Sequence, residues 1–187
     1  MSAASPANAD TPHGFNATGI MYGLNAYPVL VGNDTAIFKG DMMALQSDGA
    51  LTENTGTLAH NVGAAETGTP VSSAVKAILA ASTAGTIMVH YHPAQMYYGQ
   101  VDASGTSGTP AITQYGENGN IAVTHAGSTV TGISGMEISA TSITTSAALV
   151  MSIHGLLNRS DNLIGDHAEL VCSVNEHFMN TNDGVGV

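Results

Sequence analysis

The sequence is short of cations. Lys39, Lys76 and Arg159 stand alone against 14 acidic residues, for a formal net charge of -11. Nucleic-acid binding rests on Lys and Arg neutralising phosphates, and three scattered cations cannot line such a surface, so nucleic acid is excluded as a partner. Charge of either sign is scarce as well, at 9% of residues against about a quarter in an average soluble domain. Much of the surface must then be Ser, Thr, Asn, Gly and Ala. That composition suits a chain presenting large neutral faces to other protein; adaptation to salt or compositional drift is the alternative.

Cysteine is nearly missing. Cys172 is the only one, which rules out an intrachain disulfide and a cysteine-based metal site. Its place in an apolar, alternating run reads as a buried small hydrophobe rather than a reactive thiol. No run approaches the ~18 apolar residues of a membrane span, so no membrane partner is expected. The opening MSAASPANADTPHGF has neither the basic region nor the apolar core of a signal peptide. The expectation is a protein made in a cytoplasm and kept there, or assembled there into something larger. At 187 residues it is one domain, or one domain with arms, long enough to bury a core.

What the chain has is short strands and turns. Two apolar runs, Ala147 to Leu157 and Ala168 to Val174, flank the polar, turn-forming Asn158 to Asp166. Leu170, Cys172 and Val174 alternate with Glu169, Val171 and Ser173, a period of two that suits a sheet with one face in the core. The two runs read as strands of one sheet.

Upstream, strands are expected at Tyr27 to Val31, with Pro28 suiting an edge, at Thr35 to Lys39, Met42 to Gln46, Leu51 to Glu53, and around His60 to Ala65. Thr86 to Tyr91 and Met96 to Val101 read as a strand pair about the turn His92 to Gln95. Asn120 to Thr124, Val130 to Ile133 and Met136 to Ser139 follow, and Asp102 to Pro110 is an exposed loop. Val71, Ala74, Val75, Ile78 and Leu79 carry a helical period behind Thr69-Pro70, with a strand through Val75 to Leu79 as the competing reading. The fold class that follows is all-β, a β-barrel or β-sandwich of short antiparallel strands with at most one short helix.

Residues 1–23, with Pro6 and Pro12 and no sustained apolar period, read as an extended N-terminal arm on a β-rich body, 24–178, with a flexible C-terminal tail, 179–187. Phe15, Ile20, Met21 and Tyr22 give the arm anchors for a neighbour; a disordered tail is the other reading.

Chemistry is thinly represented. His90 and His92 lie two apart in an expected strand, so both would leave one face, a spacing a metal site on a sheet can use. No third ligand at a recognised spacing accompanies them, and the competing reading places them on a subunit contact with Tyr91, Tyr97 and Tyr98. His125, His154, His167 and His177 are scattered and read as surface or hydrogen-bonded residues. Asp161 with Asp166, and Glu169 with Glu176, indicate no cleft. Gly105 to Gly108 and Gly116 to Gly119 lack the phosphate-binding Lys and a following helix. No catalytic residue, cofactor or resident metal is therefore expected. Tyr91, Met96, Tyr97 and Tyr98 instead concentrate aromatic and thioether surface near one turn, as interface cores do. With Phe15, Ile20 and Tyr22 they form the expected protein interface; ordinary core is the alternative.

The segment IHGLLNRSDNLIGDHAELVCSVNEHF, ending at Phe178, resembles the C-terminal end of the head decoration, or capsid cement, proteins of tailed bacteriophages. Gly127 to Gly132, Thr86 to Gln100, Tyr27-Pro28-Val29 and Thr35 to Asp41 carry the resemblance further, and in this order they cover most of Ala26 to Phe178. One departure stands out. The family often has acidic residues before the Pro of the middle block, where this chain has Tyr91-His92, so any role of those acids is not carried over. The resemblance implies a structural virion protein, a homotrimer on the outer capsid surface at local three-fold positions. There it would bridge neighbouring major capsid subunits and stabilise the expanded head, with no enzymatic activity. Two other functions remain open: a head-fibre module whose Gly- and Ser-rich loops bind a host surface, and a metal-dependent hydrolase built on His90 and His92.

Overall fold

A computed structural model describes residues 8–56, 60–68, 78–102 and 114–179. Most of the helical candidate Val71 to Leu79, most of the loop Asp102 to Pro110, the first seven residues of the arm, and the tail beyond Met179 lie outside them.

The chain is all-β. Among the described residues twelve strands run in chain order: β1 (Asn16–Thr18), β2 (Asn25–Val29), β3 (Met42–Leu45), β4 (Leu51–Glu53), β5 (Asn61–Gly68), β6 (Gly85–Val89), β7 (Met96–Gln100), β8 (Asn118–Gly119), β9 (Ile121–Ala122), β10 (Glu137–Ile138), β11 (Met151–Leu156) and β12 (Glu169–Val174). One five-stranded sheet has the order β1-β7-β12-β11-β8, the other β2-β6-β5-β3-β4, and β9 and β10 form a small third ladder. Every ladder is antiparallel.

The expected pair at the end of the chain is present as β11 and β12, with Ile153 opposite Cys172 and Met151 opposite Val174. The alternation in β12 does what a period of two dictates: Leu170, Cys172 and Val174 are buried while Val171 and Ser173 are partly open. Burial pushes the Cys172 thiol far above its ordinary range, so it is the inert small hydrophobe that its position implied.

The two sheets share a core. Met42 and Met43 are consecutive in β3, so their side chains leave opposite faces. Met42 packs with Met151, Ile153, Leu170 and Cys172 of the first sheet, and Met43 with Ile37, Leu51, Leu79 and Ile87. The second sheet is therefore covered on both faces, which is why Asn61 to Ala65 of β5 is buried throughout.

Three local expectations are corrected. The strands around His92 to Gln95 are not a hairpin: β6 pairs with β2 and β5, whereas β7 pairs with β1 and β12. The chain makes its turn there, with Gln95 N donating to His92 O at 2.9 Å, but crosses from one sheet to the other because both edges of β7 are taken. Val130 to Ile133 is a turn, with the Gly132 amide donating to Ser128 O at 2.7 Å. Thr35 to Lys39 makes only isolated bridges, Ile37 to Leu79 and Lys39 to Ile133.

The arm differs most. Its middle is part of the body, since β1 adds to the edge of β7 with Asn16 opposite Tyr98. Gly14, at φ +67, sits where a Cβ would meet the Gly40 backbone at 2.7 Å; glycine alone permits both the conformation and the approach. Phe15 follows, fully buried, with its ring over Gly99, where a Cβ would stand 2.9 Å from Phe15 Cε1. A three-residue strand without alternation gave no sequence signal for this.

Candidate functional site

The most distinctive surface is built where the N-terminal segment leaves the first sheet for the second. Two buried glutamines at the ends of β7 hold that segment down. At one end Gln100 Nε2 donates to Ala9 O at 2.8 Å while its Oε1 accepts from Thr11 N at 2.9 Å. At the other, Gln95 Nε2 donates to Thr18 O at 3.1 Å and its Oε1 accepts from Tyr22 N at 3.2 Å. A buried side-chain amide must have its donors and acceptors met, and here the N-terminal segment meets them.

Beyond Thr18 the chain stands proud. Ile20 is 70% exposed and Met21 57%, and Tyr22 and Leu24 are exposed as well. They lead directly into β2, the outer strand of the second sheet, where Asn25, Ala26 and Pro28 face solvent. On its far side Leu30 and Val31 are open again, at 48% and 62%. The stretch 20–31 thus presents six large apolar side chains, four before and two after the edge strand β2. Pro28 removes one backbone donor from that edge, a common device against indiscriminate strand pairing.

A groove of about 550 Å³ lies beside this ridge, lined by Ala17, Met21, Leu24, His90 and Tyr98. Its polar wall is internally paired. Lys39 forms an ion pair with Glu66, whose other carboxylate oxygen is 3.7 Å from His90 Nε2. Burial lowers the His90 pKa, and the Glu66 carboxylate only partly opposes it, so His90 is neutral at physiological pH. An apolar ridge beside a groove with paired charges fits protein surface.

The residues singled out from sequence divide. Ile20 and Tyr22 lie on the ridge, and Tyr98 and His90 line the groove. Tyr91 and Met96 are half-buried, Tyr91 against the core of the second sheet. Phe15 and Tyr97 are wholly interior, at 2% and 1% exposure, and serve this chain's own core. His90 and His92 do not share a face. His90 lies just past β6 and is buried, whereas the His92 ring is stacked on Tyr22 with centroids 4.1 Å apart and planes 6° from parallel. Its Nδ1 accepts from Ala94 N at 3.1 Å.

Among the described residues, the group of three side chains placed to share a metal ion is instead Asp10, Glu137 and His167. The sequence reads His167 as a surface or hydrogen-bonded histidine and singles out neither Asp10 nor Glu137 for a site, nor Gln95, Gln100, Leu24, Leu30 and Val31. Leu30-Val31 next to Pro28 carried a signal, as an apolar run that continues past an edge strand. The others come together only through the crossover topology. Comparison of the chain with protein-family models, with curated proteins and with solved structures finds no match.

Proposed function

We propose that this chain is a structural virion protein of the phage head: a decoration, or cement, protein that binds the outer capsid surface and bridges neighbouring major capsid subunits. The observation that carries the reading is the exposed apolar side chains that flank the edge strand β2 within residues 20–31, in a chain with 9% charged residues. Large exposed apolar side chains concentrated on one segment in this way support protein–protein contact. The resemblance of Ala26 to Phe178 to capsid cement proteins supplies the partner, the major capsid protein, and the homotrimeric state. Each contact of a trimer is individually modest, and simultaneous attachment to several capsomers multiplies it. A clamp that binds only the expanded lattice stabilises that lattice by mass action. The chain has no catalytic task in this reading.

Incubating the purified protein with expanded heads that lack it, then pelleting the heads, tests the proposal. Wild type should co-sediment to saturation, whereas an Ile20→Ser, Met21→Ser, Val31→Ser variant should remain in the supernatant while keeping its fold. Equal binding by both would remove the ridge from the account.

A further inference from the structure

Three ligand-type side chains from distant parts of the sequence converge beneath the N-terminal segment. An oxygen of Asp10, a carboxylate oxygen of Glu137 and a ring nitrogen of His167 lie within 4.8 Å of one another. We propose that they form a binding site for one divalent transition-metal ion, Zn²⁺ by donor type, which fastens the N-terminal segment to the body.

The argument begins with Glu137. Its side chain, on β10, is 0% exposed, and among the described residues its ion-pair partner is the half-exposed His125, at one oxygen alone, with no Lys or Arg beside it. Thr124 Oγ1 and His125 Nδ1 both donate to its Oε2, at 2.8 and 2.9 Å. Among the described residues Oε1 has no hydrogen-bond partner. A buried carboxylate oxygen without a donor is costly unless a cation meets it. Among the described residues His167 Nδ1 is buried without a hydrogen-bond partner, and it faces Asp10 Oδ1 at 3.6 Å.

The site is also built. Gln100, 2% exposed, donates through the same Nε2 to Ala9 O at 2.8 Å and to His167 O at 3.1 Å. One rigid side chain thereby fixes the backbone next to Asp10 and the backbone of His167 itself. Asn8 adds a second tie, accepting from Leu163 N at 3.0 Å and donating to Leu163 O and Asp166 O in the same loop. His125 orients Glu137 and leaves one oxygen free, as outer partners of metal-binding carboxylates do.

Donor chemistry selects the ion. One imidazole with two carboxylates suits Zn²⁺ better than Ca²⁺ or Mg²⁺, which take all-oxygen sets. Zinc bonds of about 2.0–2.2 Å in tetrahedral geometry place donors roughly 3.4 Å apart. The His167 to Asp10 separation is already near that value, and Asp10, half exposed, can move in to complete the set. A water would fill the fourth position.

The test uses the untagged full chain, stripped with chelator and then titrated with Zn²⁺ by calorimetry, with metal content after dialysis measured by mass spectrometry. One zinc per chain and a raised melting temperature are expected. Asp10→Asn, Glu137→Gln and His167→Asn should each weaken binding more than about 100-fold, and His125→Asn by about 10–100-fold. Asn tolerates the left-handed backbone at His167, φ 57, so that variant keeps the loop. His92→Asn should bind as wild type does. No zinc after dialysis and no heat of binding would overturn the proposal. So would zinc binding that survives both Asp10→Asn and His167→Asn, or binding of Ca²⁺ in preference to Zn²⁺.

Discussion

The Tyr97 hydroxyl donates a hydrogen bond of 2.8 Å to the carbonyl oxygen of His90. Tyr97 belongs to the first sheet and His90 follows directly after β6 of the second, so this bond ties the sheets where the chain crosses between them. Gly63, at φ +146, lies against both, and a Cβ there would overlap the His90 oxygen and the phenol. Tyr97→Phe strands a buried carbonyl and should cost about 1–3 kcal/mol in urea unfolding. Gly63→Ala meets the backbone itself and should cost on the order of 4 kcal/mol or more. Near-wild-type stability of either variant would refute the tie.

Anchoring and docking are separated along the N-terminal segment, and the separation is measurable. Phe15→Ala removes a buried ring and should destabilise by about 3–5 kcal/mol. Ile20→Ser and Met21→Ser, five and six residues further on, should change stability by no more than about 0.5 kcal/mol while abolishing attachment to heads. If the exposed pair proves to be the destabilising one, the segment is packed differently from this description.

Asp41 gives a pH signature. It is 2% exposed and accepts from Phe38 N at 2.6 Å, and burial pushes its carboxyl up to about 7 despite that bond and one to Ser134. Below pH ~4 it is protonated in folded and unfolded chains alike. Between about 4 and 7 the unfolded chain loses the proton first, so stability falls as pH rises, by up to ~1.4 kcal/mol per pH unit. The burial-lowered histidines His90, His154 and His177 act oppositely, costing stability as pH falls below ~6.5. The comparison that isolates Asp41 is therefore wild type against Asp41→Asn. Wild type should lose on the order of 4 kcal/mol relative to the variant from pH 4 to 7, and a constant difference would disprove the raised pKa.

Cys172, wholly buried in β12, should be silent to a thiol reagent in the native protein. It should react at a rate set by global unfolding in urea, and prompt labelling without denaturant would contradict its burial.

Much of the fold was legible because local pattern and tertiary role agree. Leu170, Cys172 and Val174 announce a one-sided strand, and Leu51 to Glu53 is bounded by turns that leave no other choice. Legibility stopped where a residue's role depends on what the crossover brings near. Phe15 and Tyr97 look like interface aromatics in sequence but become core because Gly14, Gly63 and Gly99 permit close backbone approach. His90 and His92 share a face only if the strand continues, and β6 ends at Val89. Ile20 and Tyr22 were readable as anchors. Asp10, Glu137 and His167, spread over most of the chain, had no spacing to betray them.

The central claim is that this chain attaches to a phage head. The direct measurement is quantitative mass spectrometry of purified, DNA-filled virions, scoring this chain against the major capsid protein. The account predicts a fixed, reproducible ratio that survives gradient purification and drops when residues 20–24 are replaced by serine and glycine. Virions that carry none of it would contradict the account outright.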